Sequence, residues 1–142
     1  MITEHLKMTG ALTVEKNGEV VHRINNLVVT AGKNLVASRL AGAGSSITHM
    51  AVGSGTLAAA ASQTALASEL QRNALTVSGG SVVNNTVEYA STWAAGYGTG
   101  ALTEAGLFTA AVSGTMLART VFSVVNKGAN DAITITWTIT IS

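Results

Sequence analysis

The sequence predicts an all-β chain: an antiparallel β-sandwich, jelly-roll-like, of about eight strands with one or two short helices. Three observations carry that expectation. First, Ile133, Ile135, Trp137, Ile139 and Ile141 alternate strictly with Thr134, Thr136, Thr138, Thr140 and Ser142. In a strand, successive side chains point to opposite faces, so one face is a wall of isoleucine and tryptophan and the other a ladder of hydroxyls. A helix would scatter the same residues around its circumference. Second, further β-branched runs recur along the chain, separated by turn signals at intervals of roughly 8–12 residues. Third, the 142 residues include 15 glycines and no proline, so strand ends fall to glycine, asparagine and aspartate turns.

The last strand needs company. Ordering its backbone costs about as much free energy as its large side chains return on burial, so it cannot stand alone. It requires neighbours on its edges or a second sheet over its Ile/Trp face. A slip of one residue in register would turn every large side chain to the wrong side, so its pairing is expected to be unique.

In chain order, residues 1–7 read as a flexible N-terminal arm and residues 8–142 as a single sandwich domain. Residues 8–16 form a strand with Leu12 and Val14 on one face. Asn17-Gly18 is a strong hairpin signal, because a type I′ turn needs positive φ at both central positions. Residues 19–24 return, with Glu15 and Lys16 facing Glu19 and Val20. Residues 31–40 are the best helix: Thr30 is placed to cap it, Leu35, Val36 and Leu40 share a side, Arg39 sits in the last turn, and Gly42 is a left-handed stop. Residues 47–52 read as a strand broken by Gly53-Ser54-Gly55-Thr56, and the alanine-rich residues 57–61 as helix or loop. Residues 64–71 read as a second short helix, with Leu66 and Leu70 one turn apart. A strand over 72–78 and a Gly79-Gly80 turn precede the longest strand, 82–94, whose Val83, Val87, Tyr89 and Trp93 share a face. Gly96, Gly98 and Gly100 make a loop around Tyr97. Residues 103–110 and 116–125 are strands, the second apolar on both faces and so interior. A hairpin is expected between 116–125 and 132–141.

Composition narrows the function. Hydrophobic residues make up 47% and charged residues 11%, against about 25% charged in an average soluble domain. The polar surface is therefore built from Thr, Ser, Asn and Gly, and a surface that neutral is poorly defended against association. The net charge is +1 and the basic residues form no cluster, which argues against a nucleic-acid partner. With no cysteine there is neither a disulfide framework nor a thiolate metal site. The opening residues lack the apolar run of a signal peptide. No apolar run approaches the length of about 18 residues needed to cross a membrane as a helix.

The catalytic inventory is thin. His5, His22 and His49 lie far apart and form no metal-binding pair, and no cofactor is expected. Asp131 is the only aspartate and sits in a turn. Glu88 and Glu104 are the carboxylates nearest apolar neighbours; a glycosidase pair would need them facing each other at about 5–9.5 Å. Gly53-Ser54-Gly55-Thr56 lacks the lysine of a phosphate loop, and no G-x-S-x-G elbow is present. The expectation is a chain that is not an enzyme. Trp93 and Tyr97, flanking a glycine-rich loop, leave open a carbohydrate-binding sandwich or a contact with a neighbouring subunit, against core packing for Trp93.

Several stretches resemble small structural proteins of tailed bacteriophages. They are Ile47-Thr48-His49-Met50-Ala51-Val52-Gly53-Ser54-Gly55-Thr56, Leu102-Thr103-Glu104-Ala105-Gly106-Leu107-Phe108, Leu117-Ala118-Arg119-Thr120-Val121-Phe122, and Ile133-Thr134-Ile135-Thr136-Trp137-Thr138-Ile139-Thr140-Ile141. The resemblance spans roughly residues 26–142 and is closest to jelly-roll capsid cement (decoration) proteins of the Bordetella phage type. It implies a β-sandwich on the exterior of a virion capsid. Such a protein is a homo-oligomer, dimer or trimer, and bridges neighbouring subunits of the major capsid protein. A tail-fibre or baseplate component is the alternative within the same group. The expected interface residues are Met1, Ile2, Thr3 and Leu6 of the arm, with Trp93 and Tyr97.

Overall fold

The computed structural model describes residues 3–142. Among these residues ten strands and one helix occur in the order β1 (Met8–Lys16), β2 (Glu19–Asn25), β3 (Leu27–Val28), α1 (Thr30–Leu40), β4 (His49–Gly53), β5 (Glu69–Ala74), β6 (Ser81–Val83), β7 (Thr86–Trp93), β8 (Gly100–Phe108), β9 (Met116–Lys127) and β10 (Ile133–Ile141). They form an antiparallel β-sandwich. The front sheet has the order β2-β1-β10-β7-β6 and the back sheet β3-β9-β8-β4-β5. The pairing nests, since β1 joins β10 and β3 joins β9, while the middle of the chain contributes the hairpins β4–β5 and β6–β7.

The alternating terminal strand lies at the centre of the front sheet. β1 pairs with it from Met8↔Ile141 to Lys16↔Ile133, and β7 from Ile133↔Trp93 to Thr140↔Thr86. Ile133, Ile135 and Trp137 are fully buried and Ile139 nearly so, facing Leu12, Val14, Tyr89 and the back-sheet residues Met50, Val52, Leu102 and Leu107. The Trp137 indole N–H donates to Asn26 Oδ1 at 2.9 Å, tying β10 to the link where the chain leaves β2 for the back sheet. The Asn17-Gly18 turn takes φ of 52° and 85°, and Glu15 and Lys16 face Val20 and Glu19.

Helix α1 begins at Thr30, but its N-cap is Val29, with no side-chain hydrogen bond. Thr30 therefore does not cap it. Instead the Val29 and Thr30 N–H groups donate to the carbonyls of Leu117 and Ala61. The other end follows expectation, with Arg39 in the last turn and Gly42 at φ 73°. α1 packs so closely on β9 that a Cβ on Gly32 would overlap the Leu117 carbonyl oxygen. Alanine has the higher helix propensity by about 1 kcal/mol, yet here it would push the helix off the sheet. Gly32→Ala is expected to lower stability by about 1–3 kcal/mol in chemical denaturation.

Three sequence expectations are corrected. No second helix forms over 64–71: the Ala67 and Ser68 N–H groups donate to the Glu104 carboxylate, and the chain is irregular until β5 begins at Glu69. The long strand expected over 82–94 is a hairpin, β6 and β7, turning at Asn84 with φ 53°, a conformation asparagine tolerates better than most residues. Val82 rather than Val83 then opposes Val87. The hairpin expected between 116–125 and 132–141 is absent. β9 pairs with β3 and β8 in the back sheet, and the intervening loop crosses to the front. That crossing is pinned where Asn17 Nδ2 donates to Asp131 Oδ1 and the Ala132 N–H to Asn17 Oδ1. Asp131 also accepts the Gly128 N–H and lies 3.7 Å from Lys16 Nζ. The Asn17 and Gly128 hydrogen bonds lead in holding its carboxyl below the ordinary range.

Candidate functional site

The outer faces of the two sheets differ, and the difference follows from sequence. The outer face of the back sheet carries Ala51, Glu104, Gly106, Phe108, Met116 and Arg119, a mixture that water would solvate poorly. The chain covers it with residues 54–68. Leu66 packs on Phe108, Ala51 and Met116, approaching the backbone at Gly106. Arg72 lies over the Phe108 ring at 3.7 Å. Its guanidinium also donates to Glu69 and to the carbonyls of Ala110 and Ser113.

Beneath this strap is a closed polar cluster. Glu104 and Arg119 are both fully buried, with Arg119 Nη2 2.7 Å and Nε 3.1 Å from Glu104 Oε2. Glu104 Oε1 accepts the N–H groups of Gly55 and Ser68, and Oε2 that of Ala67. Arg119 Nη1 donates to Gln63 Oε1, whose amide in turn donates to the Ala58 carbonyl. Thr103, at an irregularity in β8, donates to the Gly55 carbonyl. Burial works to raise the Glu104 pKa, but the Ser68 N–H, Arg119 and the Ala67 and Gly55 N–H groups outweigh it and hold the carboxyl below its ordinary value. With both oxygens occupied by protein donors, this carboxylate has no lone pair open to a substrate. It fastens a loop.

Glu88 sits elsewhere, on the outer face of the front sheet opposite Thr138. The two carboxylates nearest apolar neighbours are thus on different sheets and do not form a pair. The His22 Nε2–H donates to the Ser123 carbonyl and the ring tilts against Phe122, while His49 Nδ1 and the Thr48 hydroxyl share a hydrogen bond. Among the described residues no group of three His, Asp, Glu or Cys side chains could hold a metal ion. No helix there is long and apolar enough to cross a membrane.

The outer face of the front sheet is different. Thr134, Thr136, Thr138 and Thr140 of β10 run down its middle. Register places Glu15, Thr13, Ala11 and Thr9 of β1 beside them, and Thr92, Ala90, Glu88 and Thr86 of β7 on the other side. Thr92 and Thr134 share a hydroxyl–hydroxyl hydrogen bond of 2.9 Å. No segment comparable to the 54–68 strap lies over the middle of this face among the described residues, and Lys33 of α1 borders one end of it, beside Thr9 and Thr140. Its charges are spread out: Glu15, Glu88, Arg23 from β2 and, at the bordering end, Lys33. It is a broad surface of methyl and hydroxyl groups, less costly to desolvate than a charged one so long as a partner hydrogen-bonds its hydroxyls.

The residues expected at an interface divide. Met1 and Ile2 lie outside the described residues. Thr3 and Leu6 are exposed, Leu6 to 75%, and Tyr97 is exposed to 58%. Trp93 is a correction: it is fully buried, its indole N–H donating to the Gln71 carbonyl, so it faces the core and cannot touch a partner or a sugar. Tyr97 is left without the aromatic neighbour that a carbohydrate-binding reading required. Sequence reasoning missed Arg119 and Lys127. Lys127 is 2% exposed and donates to the Ala94 carbonyl, anchoring the start of the glycine-rich loop. For Arg119 the signal was a charged residue inside an otherwise apolar strand; Lys127, at the strand's end between Asn126 and Gly128, carried none.

Comparison with known proteins returns no matching family model, no matching curated protein and no matching solved structure.

Proposed function

We propose that this chain is a structural protein of a tailed-phage virion, a capsid cement protein on the outside of the shell that bridges neighbouring subunits of the major capsid protein. The observation that carries the reading is the uncovered front face, a neutral threonine and alanine surface on one side of a sandwich whose other side is closed by its own chain. The segments that resemble phage structural proteins support it, including β10 itself. Each copy would bury a modest, largely uncharged contact. Many copies on one shell add those contacts by multivalency, so weak single affinities suffice to hold the shell together.

The test is reconstitution. Added to shells stripped of accessory proteins, the chain should bind to saturation and raise the temperature at which the shells open. Failure to bind, or binding with no gain in heat resistance, rejects the reading. A lysine at the centre of the face should act locally: Thr136→Lys is expected to keep the fold, because the side chain points outward, and to weaken shell binding by about tenfold or more. Co-sedimentation with shells measures it, and an unchanged affinity would remove the front face from the contact.

A further inference from the structure

Of the nine asparagines in the chain, Asn17 alone is followed by glycine. An Asn-Gly pair is the asparagine setting most open to loss of the side-chain amide. Glycine carries no Cβ and has the most permissive backbone, so its amide nitrogen can approach the preceding Cγ. Both residues are exposed, and a Cβ on Gly18 would meet nothing within 4 Å. Water reaches this turn freely.

The Asn17 side chain is also structural. Its Nδ2 donates to Asp131 Oδ1 at 2.9 Å, and its Oδ1 accepts the Ala132 N–H at 2.9 Å. The Asn17 N–H donates in turn to the Ala132 carbonyl. These bonds seat the start of β10, where Ile133 pairs with Lys16 and enters the core fully buried. Loss of the amide needs the opposite arrangement. The side chain must leave Asp131 and Ala132 and fold back on its own backbone.

We infer that Asn17 is a modification site gated by this clamp, and that its conversion to aspartate or isoaspartate opens the clamp irreversibly. The Gly18 nitrogen bonds to Cγ as the Cγ–Nδ2 bond breaks, and Nδ2 leaves as ammonia with the Gly18 amide proton. Water then opens the cyclic imide at either carbonyl. One opening gives an aspartate side chain on a normal backbone; the other routes the backbone through the side chain. Nothing is oxidised or reduced. Neither product has the Nδ2 donor. A carboxylate in its place sets like charges beside Asp131, against the one ion pair that Asp131 makes, with Lys16 at 3.7 Å. Isoaspartate also lengthens the backbone of a turn that closes on the Lys16↔Glu19 pair. The reaction belongs to the free chain and asks nothing of a shell, so it can fail while the proposed function stands, and the reverse.

The purified chain is aged at mildly alkaline pH and its peptides are mapped by mass spectrometry. Asn17 should convert before any other asparagine, and to both products. An Asp131→Ala chain, folded by circular dichroism, should convert about fivefold faster than the parent, the factor that one lost hydrogen bond gives. The parent unfolded in guanidinium chloride should also convert faster than the folded parent, a comparison that holds even if that variant does not fold. The Asn17→Asp chain supplies one product directly. Hydrogen exchange at Gly128 and Ala132 should quicken in it, while Ala67 and Ser68 keep the parental rate. The proposal is overturned if another asparagine converts first or if folded and unfolded parent convert equally fast. A folded Asp131→Ala chain that converts at the parental rate, or unchanged exchange at Ala132 in the Asn17→Asp chain, overturns it as well.

Discussion

Glu104→Gln is expected to lower stability by about 3–5 kcal/mol, the cost of breaking a buried ion pair from one side. The substitution is nearly isosteric, so the loss is not one of volume. It leaves the Arg119 guanidinium fully buried and facing a neutral amide in place of a carboxylate. The amide nitrogen also replaces one oxygen that now accepts backbone N–H groups from the strap. Residues 54–68 should therefore loosen before the sheets do, seen as faster hydrogen exchange at Gly55, Ala67 and Ser68. Against typical total stabilities of about 5–15 kcal/mol, a change of that size is visible in any denaturant titration. The parent should also show an acid dependence that the variant lacks. The Glu104 carboxyl titrates below its ordinary value of 4.5 in the folded chain, so the folded state binds fewer protons than the unfolded one there. Its contribution is complete above 4.5 and is lost as pH falls through the lower, folded-state pKa. Equal acid sensitivity in parent and variant would show that this carboxylate is not what fastens the strap.

Trp137→Ala is expected to cost about 3–5 kcal/mol, through a cavity at the centre of the front sheet. Trp137 is fully buried, and its neighbours on both sides, Leu12 and Tyr89, belong to paired strands with little freedom to collapse inward. The indole N–H is also the partner of Asn26 Oδ1, while Asn26 Nδ2 is buried with no acceptor. Trp137→Phe separates the two contributions. It keeps most of the packing but strands the Asn26 oxygen, at about 1–3 kcal/mol. Thermal unfolding of both variants beside the parent gives the order parent, Phe, Ala. A phenylalanine variant as unstable as the alanine one would put the weight on the hydrogen bond rather than on packing.

Much of the sandwich was legible in the sequence because local signals and tertiary demands agree there. β10 alternates without a break, and of the two supports that this alternation called for, neighbours on its edges or a second sheet over its Ile/Trp face, it has both. Asn17-Gly18 dictates its hairpin through backbone sterics alone. Where local pattern was compatible with two outcomes, distant residues decided. Residues 64–71 carry leucines at helical spacing, but the N–H groups that a helix would engage belong to Glu104, far along the chain. Nothing in the loop between β9 and β10 distinguishes a hairpin from a crossing between sheets; the clamp of Asn17 on Asp131 does. Two readings of Trp93 stood side by side in the sequence, a surface aromatic beside a glycine loop and a core residue sharing a face with Val87 and Tyr89. The buried alternation of Tyr89, Ser91 and Trp93 decides for the core. The uncovered face was foreshadowed by the hydroxyl ladder, but that it stays uncovered depends on which sheet the 54–68 strap closes, and only the Glu104–Arg119 pair settles that.

Cryo-EM of tailed-phage shells reconstituted with this chain is the direct check on the proposed function. Copies are expected on the outer surface of the shell, seated over boundaries between major capsid subunits, with Thr134, Thr136, Thr138 and Thr140 turned toward the shell. Copies placed on the tail, or copies on the shell with that threonine face open to solvent, would contradict it.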